Sequence, residues 1–499
     1  HLLESAQNNM DDAYQDIWLS YCESHFQTLK KPIKTFNNFP ELEAWVELAP
    51  SAPFGLDLSS NGLNKQNCKK IISSPHTKNL VALHLNESKI DDISCARLAN
   101  APSLSGLREL SLSDNKFGAD GCQAISQSPY LTELQALNLN GNRIGERGCQ
   151  DLASSTNLKG LTALYVSRCE LHDKEIQALL NASLFTNLQT LSLKSNVFGV
   201  GGCQAIANAE CLKHLHTLDL ESTGLGDLGI GTDGCIALTH SPHLHALQCL
   251  NIRANKIGSE GFLALAAAKC MSNLRTLYAR GNRAGDLGFS AIVSSEYMNN
   301  LQLLELNQNG VGAAGCKAVE QSLCLQNLRK LELQSNHIGD EGIISLLNSG
   351  LKVTLQELNL DDNGIGYEGC EAIANVVCFP LLERLNLSGN RLNDEACKIL
   401  AEAECLRGLK VLTLYDNQQI EDGYAFLTCS TILAKQIRQQ HCASASVESL
   451  YKLARVCNVD LPFTRLKKKA LATLIWETLK QKKETTIDFV AYENAIFID

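Results

Sequence analysis

The sequence predicts an α/β solenoid: a curved stack of about 14 strand–helix repeats, with a parallel sheet on the concave face and helices on the convex face. Two observations predict this fold. The frame L-x-x-L-x-L-x-x-N-x-I-G-x-x-G-C recurs along the chain, and twelve of the thirteen spacings between its copies are 27 residues, while one is 32. An aliphatic residue also recurs at one position in the second half of every copy. A fixed period of this length is typical of a repeat architecture.

Each repeat combines a strand and a helix. In residues 134–153, Leu137 and Leu139 alternate with other residues, which predicts a short strand with one buried face. Cys149, Leu152 and Ala153 follow at the i, i+3, i+4 spacing of a helix. The position of Leu152 is always a branched aliphatic: Ile71, Leu98, Ile125, Leu152, Leu179, Ile206, Leu238, Leu265, Ile292, Val319, Leu346, Ile373, Leu400 and Leu427. One repeat alone cannot bury this face, so neighbouring repeats must stack.

The stack is predicted to curve because its two sides have different spacings. Strands stack about 4.8 Å apart, whereas packed helices need about 8–10 Å, so the strands line the inside. In each copy of the frame the Asn position follows the strand: Asn61, Ser88, Asn115, Asn142, Cys169, Asn196, Thr223, Asn255, Asn282, Asn309, Asn336, Asn363, Asn390 and Asn417. An amide both donates and accepts hydrogen bonds, so we expect this side chain to turn inward and bind the loop backbone. Ser88 and Thr223 can do part of this, and Cys169 does it weakly.

These repeats resemble leucine-rich repeats of the ribonuclease-inhibitor type, which carry a strand and a full helix per repeat. The resemblance covers residues 54–428 and departs from the vertebrate inhibitor, whose two alternating repeats are slightly longer, whereas the length here is uniform. The uniform I-G-x-x-G-C form is more similar to repeats in effectors of intracellular bacteria or in innate-immune receptors. The resemblance implies a horseshoe-shaped, non-enzymatic scaffold that binds a protein, with an effector acting on a host protein as the narrower expectation.

The two ends of the chain lie outside the repeats. Residues 1–53 are predicted to form an N-terminal helical cap, residues 54–428 the array, and residues 429–499 a C-terminal helical cap or small helical domain. Within the tail, residues 462–483 predict a helix whose apolar side holds Leu466, Ala470, Leu474, Ile475 and Leu479. The opposite face is basic and indicates a solvated surface, with contact to a membrane or an acidic partner as the alternative.

Twenty cysteines indicate a reducing compartment. One helix column holds Cys68, Cys95, Cys122, Cys149, Cys203, Cys235, Cys316, Cys370 and Cys397, and a second holds Cys211, Cys270, Cys324, Cys378 and Cys405. Ile, Phe and Tyr replace cysteine in the first column, which indicates buried thiols acting as small hydrophobes. Neighbours in a column lie about 8–10 Å apart, and a disulfide needs Cα atoms within about 7 Å. We therefore expect reduced thiols, a cytoplasmic location (the host-cell cytosol for an effector) and, without a C-x-x-C pair, no zinc.

The segment Gly224–Gly229 matches G-x-G-x-x-G, a dinucleotide-binding fingerprint. In register with the repeats, however, it is one of two adjacent copies of the I-G-x-x-G turn, and five extra residues explain the single 32-residue spacing. We therefore expect no nucleotide or other cofactor, and a longer loop on the rim. Residues Ile230–Gly234 are expected to project, with Asp227, Leu228, Ile230, Thr232 and Asp233 as candidate partner contacts.

The concave face is the predicted site of function. Side chains that flank the strand leucines point into it, and Tyr and Arg, which dominate binding hot spots, are frequent among them. The candidates are Tyr165, Arg168, Asp219, Glu221, Arg253, Tyr278, Arg280, Arg283, Glu305, Glu332, Asp361, Asp362 and Tyr415. Arginines in the middle repeats and carboxylates after them would orient a partner protein of opposite charge. The alternative is that exposed strand positions are polar simply because they face water.

Two other functions compete with the scaffold. The acidic residues from Glu305 to Asp362 would suit an inhibitor of a basic enzyme. A ubiquitin-ligase-like effector would need a nucleophilic cysteine in the tail, where His441-Cys442 is the one notable pair, but adjacent helical residues do not face each other. A net charge of −10 disfavours nucleic acid, no apolar run is long enough to cross a membrane, and no small-molecule substrate is indicated.

Overall fold

The computed structural model describes residues 34–36, 53–60, 71–72, 75–181, 185–224, 229–376, 379–417 and parts of the chain beyond, including 468–481. The chain divides into two compact blocks. The N-terminal block contains residues 1–169 and 182–187, and the C-terminal block contains residues 170–181 and 188–499.

Short parallel strands recur once per repeat in each block. The N-terminal block holds β1 (Lys34–Phe36), β2 (Phe54–Asp57), β3 (Leu80–His84), β4 (Glu109–Ser111), β5 (Ala136–Asn138) and β6 (Ala163–Tyr165). The C-terminal block holds β7 (Thr190–Ser192), β8 (Thr217–Asp219), β9 (Cys249–Asn251), β10 (Thr276–Tyr278), β11 (Leu303–Glu305), β12 (Lys330–Glu332), β13 (Glu357–Asn359), β14 (Arg384–Asn386) and β15 (Val411–Thr413). Within each block every strand pairs in parallel with the next, in the register of the repeats. The sequence did not predict β1, which extends the sheet at β2.

A helix follows nearly every strand. The helices are α1 (Asp92–Ala99), α2 (Ala119–Ser126), α3 (Gly145–Ala153), α4 (Asp173–Leu180), α5 (Val200–Asn208), α6 (Gly231–Thr239), α7 (Gly258–Ala266), α8 (Gly285–Val293), α9 (Ala313–Glu320), α10 (Gly339–Asn348), α11 (Tyr367–Asn375), α12 (Asp394–Glu402) and α13 (Lys468–Gln481). All fourteen residues of the aliphatic column are buried. The prediction of a solenoid of alternating strands and helices, with the leucines and this column between the two layers, is confirmed.

The Asn position forms the expected ladder of buried hydrogen bonds. Asn309 Oδ1 accepts from the backbone N–H groups of Asn282 and Ala284, both at 3.1 Å. Its Nδ2 donates to the carbonyls of Ala279 at 2.9 Å and Asn307 at 3.0 Å. The substitutes make fewer or weaker bonds: Ser88 and Cys169 donate to carbonyls, and Thr223 donates to the amide of Asn255. The prediction that this side chain turns inward is therefore confirmed.

The second glycine of the I-G-x-x-G-C motif allows adjacent helices to approach closely. A Cβ atom added at Gly148 would lie 3.2 Å from the Cβ and Sγ atoms of Cys122, one repeat earlier. The same addition at Gly423 would lie 2.7 Å from Cys397. Because a side chain at this glycine would push the helices apart, the glycine of one repeat and the cysteine of the preceding repeat form one packing unit.

Aspartates in several helices cap the next helix instead of their own. Asp340 Oδ1 accepts the backbone N–H groups of Gly366 at 2.7 Å and Gly369 at 2.9 Å, at the start of α11. The same arrangement recurs from Asp92, Asp173 and Asp286, and Asp394 bonds Gly423. These N–H groups have no partner within their own helix, so each carboxylate links two repeats. From α8 onward, a repeat that supplies the aspartate alternates with one that receives it.

We expect Asp340→Ala to lower the free energy of unfolding by about 1–2 kcal/mol, because two helix-start N–H groups lose a charged acceptor. The shift in the urea midpoint measures this. Glu341→Ala, at the neighbouring exposed position, controls for negative charge near a helix start and is expected to change stability by less than about 0.5 kcal/mol. Equal losses in both variants would show that the link to α11 is not what stabilises the array.

Most of the described cysteines are buried, and some of them have a role that the sequence did not predict. The fourteen cysteines within the described residues are thiols, and burial raises the pKa of Cys235, Cys316 and Cys370 to about 12. After several helices a serine donates to a carbonyl at the end of the preceding helix, as Ser155 does to Ser126 at 2.6 Å. Where alanine replaces that serine, a cysteine of the second column donates instead: Cys211 to Leu180, Cys270 to Thr239 and Cys405 to Ile373.

The position of the five extra residues differs from the expectation. Ile230 is only 1% exposed, and Gly231 begins α6. A Cβ added at Gly234 would lie 3.1 Å from the Sγ atom of Cys203, so residues 230–234 are the regular turn and do not project. The expectation for Ile230–Gly234 is corrected because a repeat needs this buried aliphatic to complete its core. The insertion falls at or before Gly229, and residues 225–228 lie outside the described residues.

In the C-terminal tail, the buried face of α13 is rotated from the expected one. Leu471, Ala472, Ile475 and Trp476 are buried, whereas Ala470 is exposed and Leu474 is half-buried. Burial of the large Trp476 side chain accounts for the rotation, because an aromatic ring removes the most apolar area from water. The side chains of Leu466 and Leu479 lie outside the described residues. The division of the chain into a cap, an array and a tail remains a prediction.

Candidate functional site

The strands of each block carry two sets of side chains that point away from the helices. The first set comprises the outward side chains of the strands and the residue two positions before the Asn position, such as Arg253 and Arg280. We call this set the strand face. We call the edge row the residue immediately before the Asn position, such as Asp362. Every edge-row residue has a positive φ, from Ser60 (58°) and Glu87 (53°) to Asp362 (52°), Gly389 (61°) and Asp416 (57°). This left-handed turn directs the edge row to the side of the sheet where the strands end.

The centre of the strand face in the C-terminal block is a closed, buried ion pair. Arg253 binds Glu305 Oε2 through both Nε and an Nη atom at 2.6 Å. On its way it crosses the ring of Tyr278, with Cζ 4.3 Å from the ring centroid. Burial raises the pKa of Glu305, and Arg253 opposes that rise. All three residues are at most 6% exposed, so they support the surface and offer little area to a partner.

A second network occupies the strand face around β7–β9. Ser192 donates to Asp219 at 3.0 Å, Lys194 pairs with Glu221 at 2.9 Å, and the Asn251 amide donates to Glu221 at 3.1 Å. Burial raises the pKa of Asp219 to about 6, and the nearby Glu221 adds to the rise. The predicted residues Asp219 and Glu221 are therefore already engaged within the protein.

On the later strands, the innermost charges also neutralise one another. Lys330 lies between Glu332 at 3.3 Å and Glu357 at 3.2 Å, and Arg384 lies 3.5 Å from Glu357. The Asn359 amide donates to Glu332 at 2.6 Å. Glu332, a predicted binding residue, is thus half-buried within a set of opposite charges.

The remaining charges lie at the side of the sheet where the strands end. Arg280, Arg283, Asp362 and Asp416 are exposed, and Tyr415 is 48% exposed. Arg280 donates to the neutral Gln308 at 3.1 Å. Asp361 accepts from Gln334 at 2.9 Å, and burial together with Asp362 and Asp416 raises its pKa. Among the described residues, Arg280, Arg283, Asp362 and Asp416 form no ion pair within 4 Å, and Arg280 acts on Glu305 only at longer range.

The N-terminal block has its own polar strand face. Of the predicted residues, Arg168 is exposed and pairs with Asp114 at 2.9 Å, and Tyr165 is half-buried. His84 was not among the residues predicted from the sequence. Its Nε2 lies 3.0 Å from Glu109 Oε1, and its Nδ1 lies 4.0 Å from Asp57 Oδ2. These two carboxylates outweigh burial and raise the pKa of His84. Reading the strand-face columns across neighbouring repeats, rather than residue types alone, would have found this cluster.

The rim residues are divided between the helix start and the undescribed loop. Thr232 donates to the carbonyl of Ile257 at 2.8 Å, and Asp233 is exposed. Asp227 and Leu228 lie outside the described residues.

In the tail, His441 is 1% exposed, and its ring stacks on Tyr424 with centroids 5.7 Å apart. Burial lowers the pKa of His441 to about 4. Such a residue contributes to packing at the end of the array and cannot reach a substrate. Its neighbour Cys442 lies outside the described residues.

The described residues contain neither a metal-ligand cluster nor a membrane-spanning helix. Among the described side chains, no group of three His, Cys, Asp or Glu residues is arranged to hold a metal ion. No helix in the described part of the chain has the length and apolarity needed to cross a bilayer.

Comparisons with known proteins agree with this architecture. A family profile described as Leucine Rich repeat matches residues 106–126, 130–153, 186–207, 243–266, 324–347, 352–374 and 380–401. No curated protein sequence matches the chain significantly.

Solved structures to which the chain shows similarity include an internalin from Listeria monocytogenes, 23% identical, covering 68% of this chain and 82% of the internalin, with a TM-score of 0.45. The Rad7–Elc1 complex of yeast is 16% identical over 83% of this chain and 95% of that one, also with a TM-score of 0.45. The ectodomain of the receptor kinase GASSHO1/SCHENGEN3 from Arabidopsis thaliana is 16% identical over 77% and 47%, with a TM-score of 0.36.

The matched segments fall on seven of the strand–helix repeats between β4 and α12. The residues that define those repeats are the strand leucines, the Asn ladder and the buried aliphatic column described above. The chain is a leucine-rich repeat protein.

Proposed function

We propose that this protein is a non-enzymatic scaffold that binds a partner protein along the strand face and edge row of its C-terminal block. One observation carries the proposal. The inner polar side chains are locked in buried pairs such as Arg253–Glu305, whereas the outer ones, Arg280, Asp362 and Tyr415, remain exposed. A rigid support beneath exposed Arg and Tyr side chains is the arrangement expected at a protein interface, because little side-chain entropy is lost on binding.

The alternative functions are less well supported. An inhibitor of a basic enzyme would use Glu305 and Glu332, but Arg253, Lys330 and Asn359 already occupy these carboxylates. A catalytic tail would need an accessible base, and His441 is buried. The effector role, and a reducing compartment suited to the buried thiols, remain proposals that rest on the resemblance and on the cysteine pattern.

Affinity capture from cytosol with matched charge variants tests the proposal. The test variant combines Arg280→Glu, Asp362→Lys and Tyr415→Ala on the exposed strand side. The control variant combines Lys317→Glu, Glu260→Lys and Tyr367→Ala at exposed helix positions. We expect the test variant to lose proteins that the wild type and the control retain, by about tenfold in recovery, since hot-spot truncations reduce affinity by at least that factor. Equal recovery on all three would refute binding through this surface.

Buried candidates are unsuitable for this test. Removing Tyr278 or Glu305 would disturb the central ion pair, so a loss of binding would report unfolding as much as recognition. The thermal midpoint of each variant should therefore be measured in parallel and should agree with the wild type.

A further inference from the structure

The exposed charges on the strand-end side of the C-terminal block are separated into two ends of opposite sign. Arg280 and Arg283 form the cationic end, beside β10. Asp361, Asp362 and Asp416 form the anionic end, beside β13–β15, together with Tyr415. We call this set the bipolar edge. The intervening positions Gln308, Gln334 and Ser335 are neutral.

The separation follows from the removal of other charges by internal pairing. Near the cationic end, Glu305 forms its close ion pair with Arg253, and its interaction with Arg280 is the weaker one. Near the anionic end, Lys330 and Arg384 form ion pairs with Glu357. These three residues lie where their strands begin, away from the strand ends. Arg391, in the turn beyond, is exposed and leaves three carboxylates to one guanidinium at this end.

Two features concentrate negative charge at the anionic end. Gly389 stands in the edge row between Asp362 and Asp416, and a Cβ there would lie 2.8 Å from Asp361 Oδ1. The absence of a side chain at Gly389 therefore gives the Asp361 carboxylate the space that it occupies next to the edge row. Burial and the repulsion from Asp362 and Asp416 raise the pKa of Asp361.

The distance between the two charged ends sets the length of the partner segment that can contact both. Asp362 follows β13, three strands from β10, and Asp416 follows β15, five strands from β10. At the usual strand spacing these separations are about 14 Å and about 24 Å. A helix with a rise of 1.5 Å per residue covers the longer distance in about 16 residues. A helix with acidic side chains in its first turns and basic side chains in its last turns is also favoured by its own dipole.

We propose that the bipolar edge binds a single partner helix, acidic at its N-terminal end and basic at its C-terminal end, which runs from Arg280 towards Tyr415. The inference rests on the proposed function, which it extends by naming the chemistry and orientation of the partner. The two ends select for polarity, because a helix laid in reverse would place like charges together at both ends.

Two synthetic helical peptides of about 20 residues test the proposal; the length follows from the distances above. One carries Glu in its first two turns and Lys in its last two, with an alanine-rich centre. The other has the same composition with Glu and Lys alternating. We expect the first to bind about tenfold more tightly at low salt, since several exposed charge pairs each add a modest amount. A photo-cross-linker at its acidic end should label residues near Arg280, and one at its basic end residues near Tyr415.

The matched variant carries Arg280→Asp, Arg283→Asp, Asp362→Lys and Asp416→Lys, all at exposed positions. It should bind the first peptide with the two cross-linking patterns exchanged. Equal affinity for the two peptides, no binding, or an unchanged pattern in the variant would overturn the proposal. Because affinity capture by the wild type does not depend on these peptides, failure here leaves the scaffold function separately testable.

Discussion

Replacing Asn309 with alanine is expected to lower the free energy of unfolding by about 3–5 kcal/mol, because buried groups left without partners each cost about 1–3 kcal/mol. Asn309 is 2% exposed and makes four hydrogen bonds, two as acceptor and two as donor. These bonds connect two successive repeats: its own and the preceding one, which contains Ala279, Asn282 and Ala284. Alanine would leave the N–H groups of Asn282 and Ala284 buried and unbonded.

Asn327→Ala provides the matched control. Asn327 lies in the connection between α9 and β12. It is exposed and donates a single hydrogen bond to the carbonyl of Asn299. Its loss should change stability by less than about 1 kcal/mol, since water can replace that bond. Urea denaturation followed by circular dichroism, with hydrogen exchange at Asn282 and Ala284, distinguishes the two variants. A similar midpoint shift for both would show that burial of the ladder does not determine its strength.

Arg253→Met is expected to destabilise the C-terminal block by about 3–5 kcal/mol, the usual cost of leaving one partner of a buried ion pair uncompensated. Glu305 would keep its buried position but lose the guanidinium that opposes the rise in its pKa. Methionine still covers the ring of Tyr278, so the loss of packing is small. The exposed Arg280→Met is the control and should change stability by less than about 0.5 kcal/mol.

The pH dependence identifies the cause. A carboxyl group whose pKa is raised in the folded state binds more protons there than in the unfolded state. Stability is therefore lost as pH rises from the ordinary value of 4.5 through the raised pKa of Glu305. The loss in Arg253→Met should be greater at pH 8 than at pH 5. Adding Glu305→Gln should recover part of it and remove the extra pH dependence. A deficit that is the same at both pH values would contradict this account.

The fold was predictable from the sequence because its main determinants repeat every 27 residues. The leucines, the aliphatic column and the Asn ladder each recur at a fixed position, and each is buried as expected. The insertion was misplaced for a related reason. Leu225-Gly226 and Ile230-Gly231 match the frame equally well, and only the burial of Ile230 shows which copy belongs to the core.

The surface was less predictable because its contacts are not periodic. Alternation along a strand correctly places Arg253 and Glu305 on the outward side, but it does not show that they reach each other across the intervening strand. Their contact joins residues 52 apart, nearly two repeats. Three of the predicted binding residues therefore proved to be a buried support, while Arg280, Arg283, Asp362 and Tyr415 remain accessible candidates.

The aspartates that cap the following helix also limit how the array can change its length. From α8 onward, donor and recipient repeats alternate, so the functional step in this region is a pair of repeats. Loss of one 27-residue repeat by recombination would place two donors or two recipients side by side and leave a helix start without its carboxylate. Loss of two repeats together would join Asp286 to the glycines that Asp340 now serves. In this part of the array, engineered variants that gain or lose an even number of repeats should therefore be more stable than those that gain or lose an odd number.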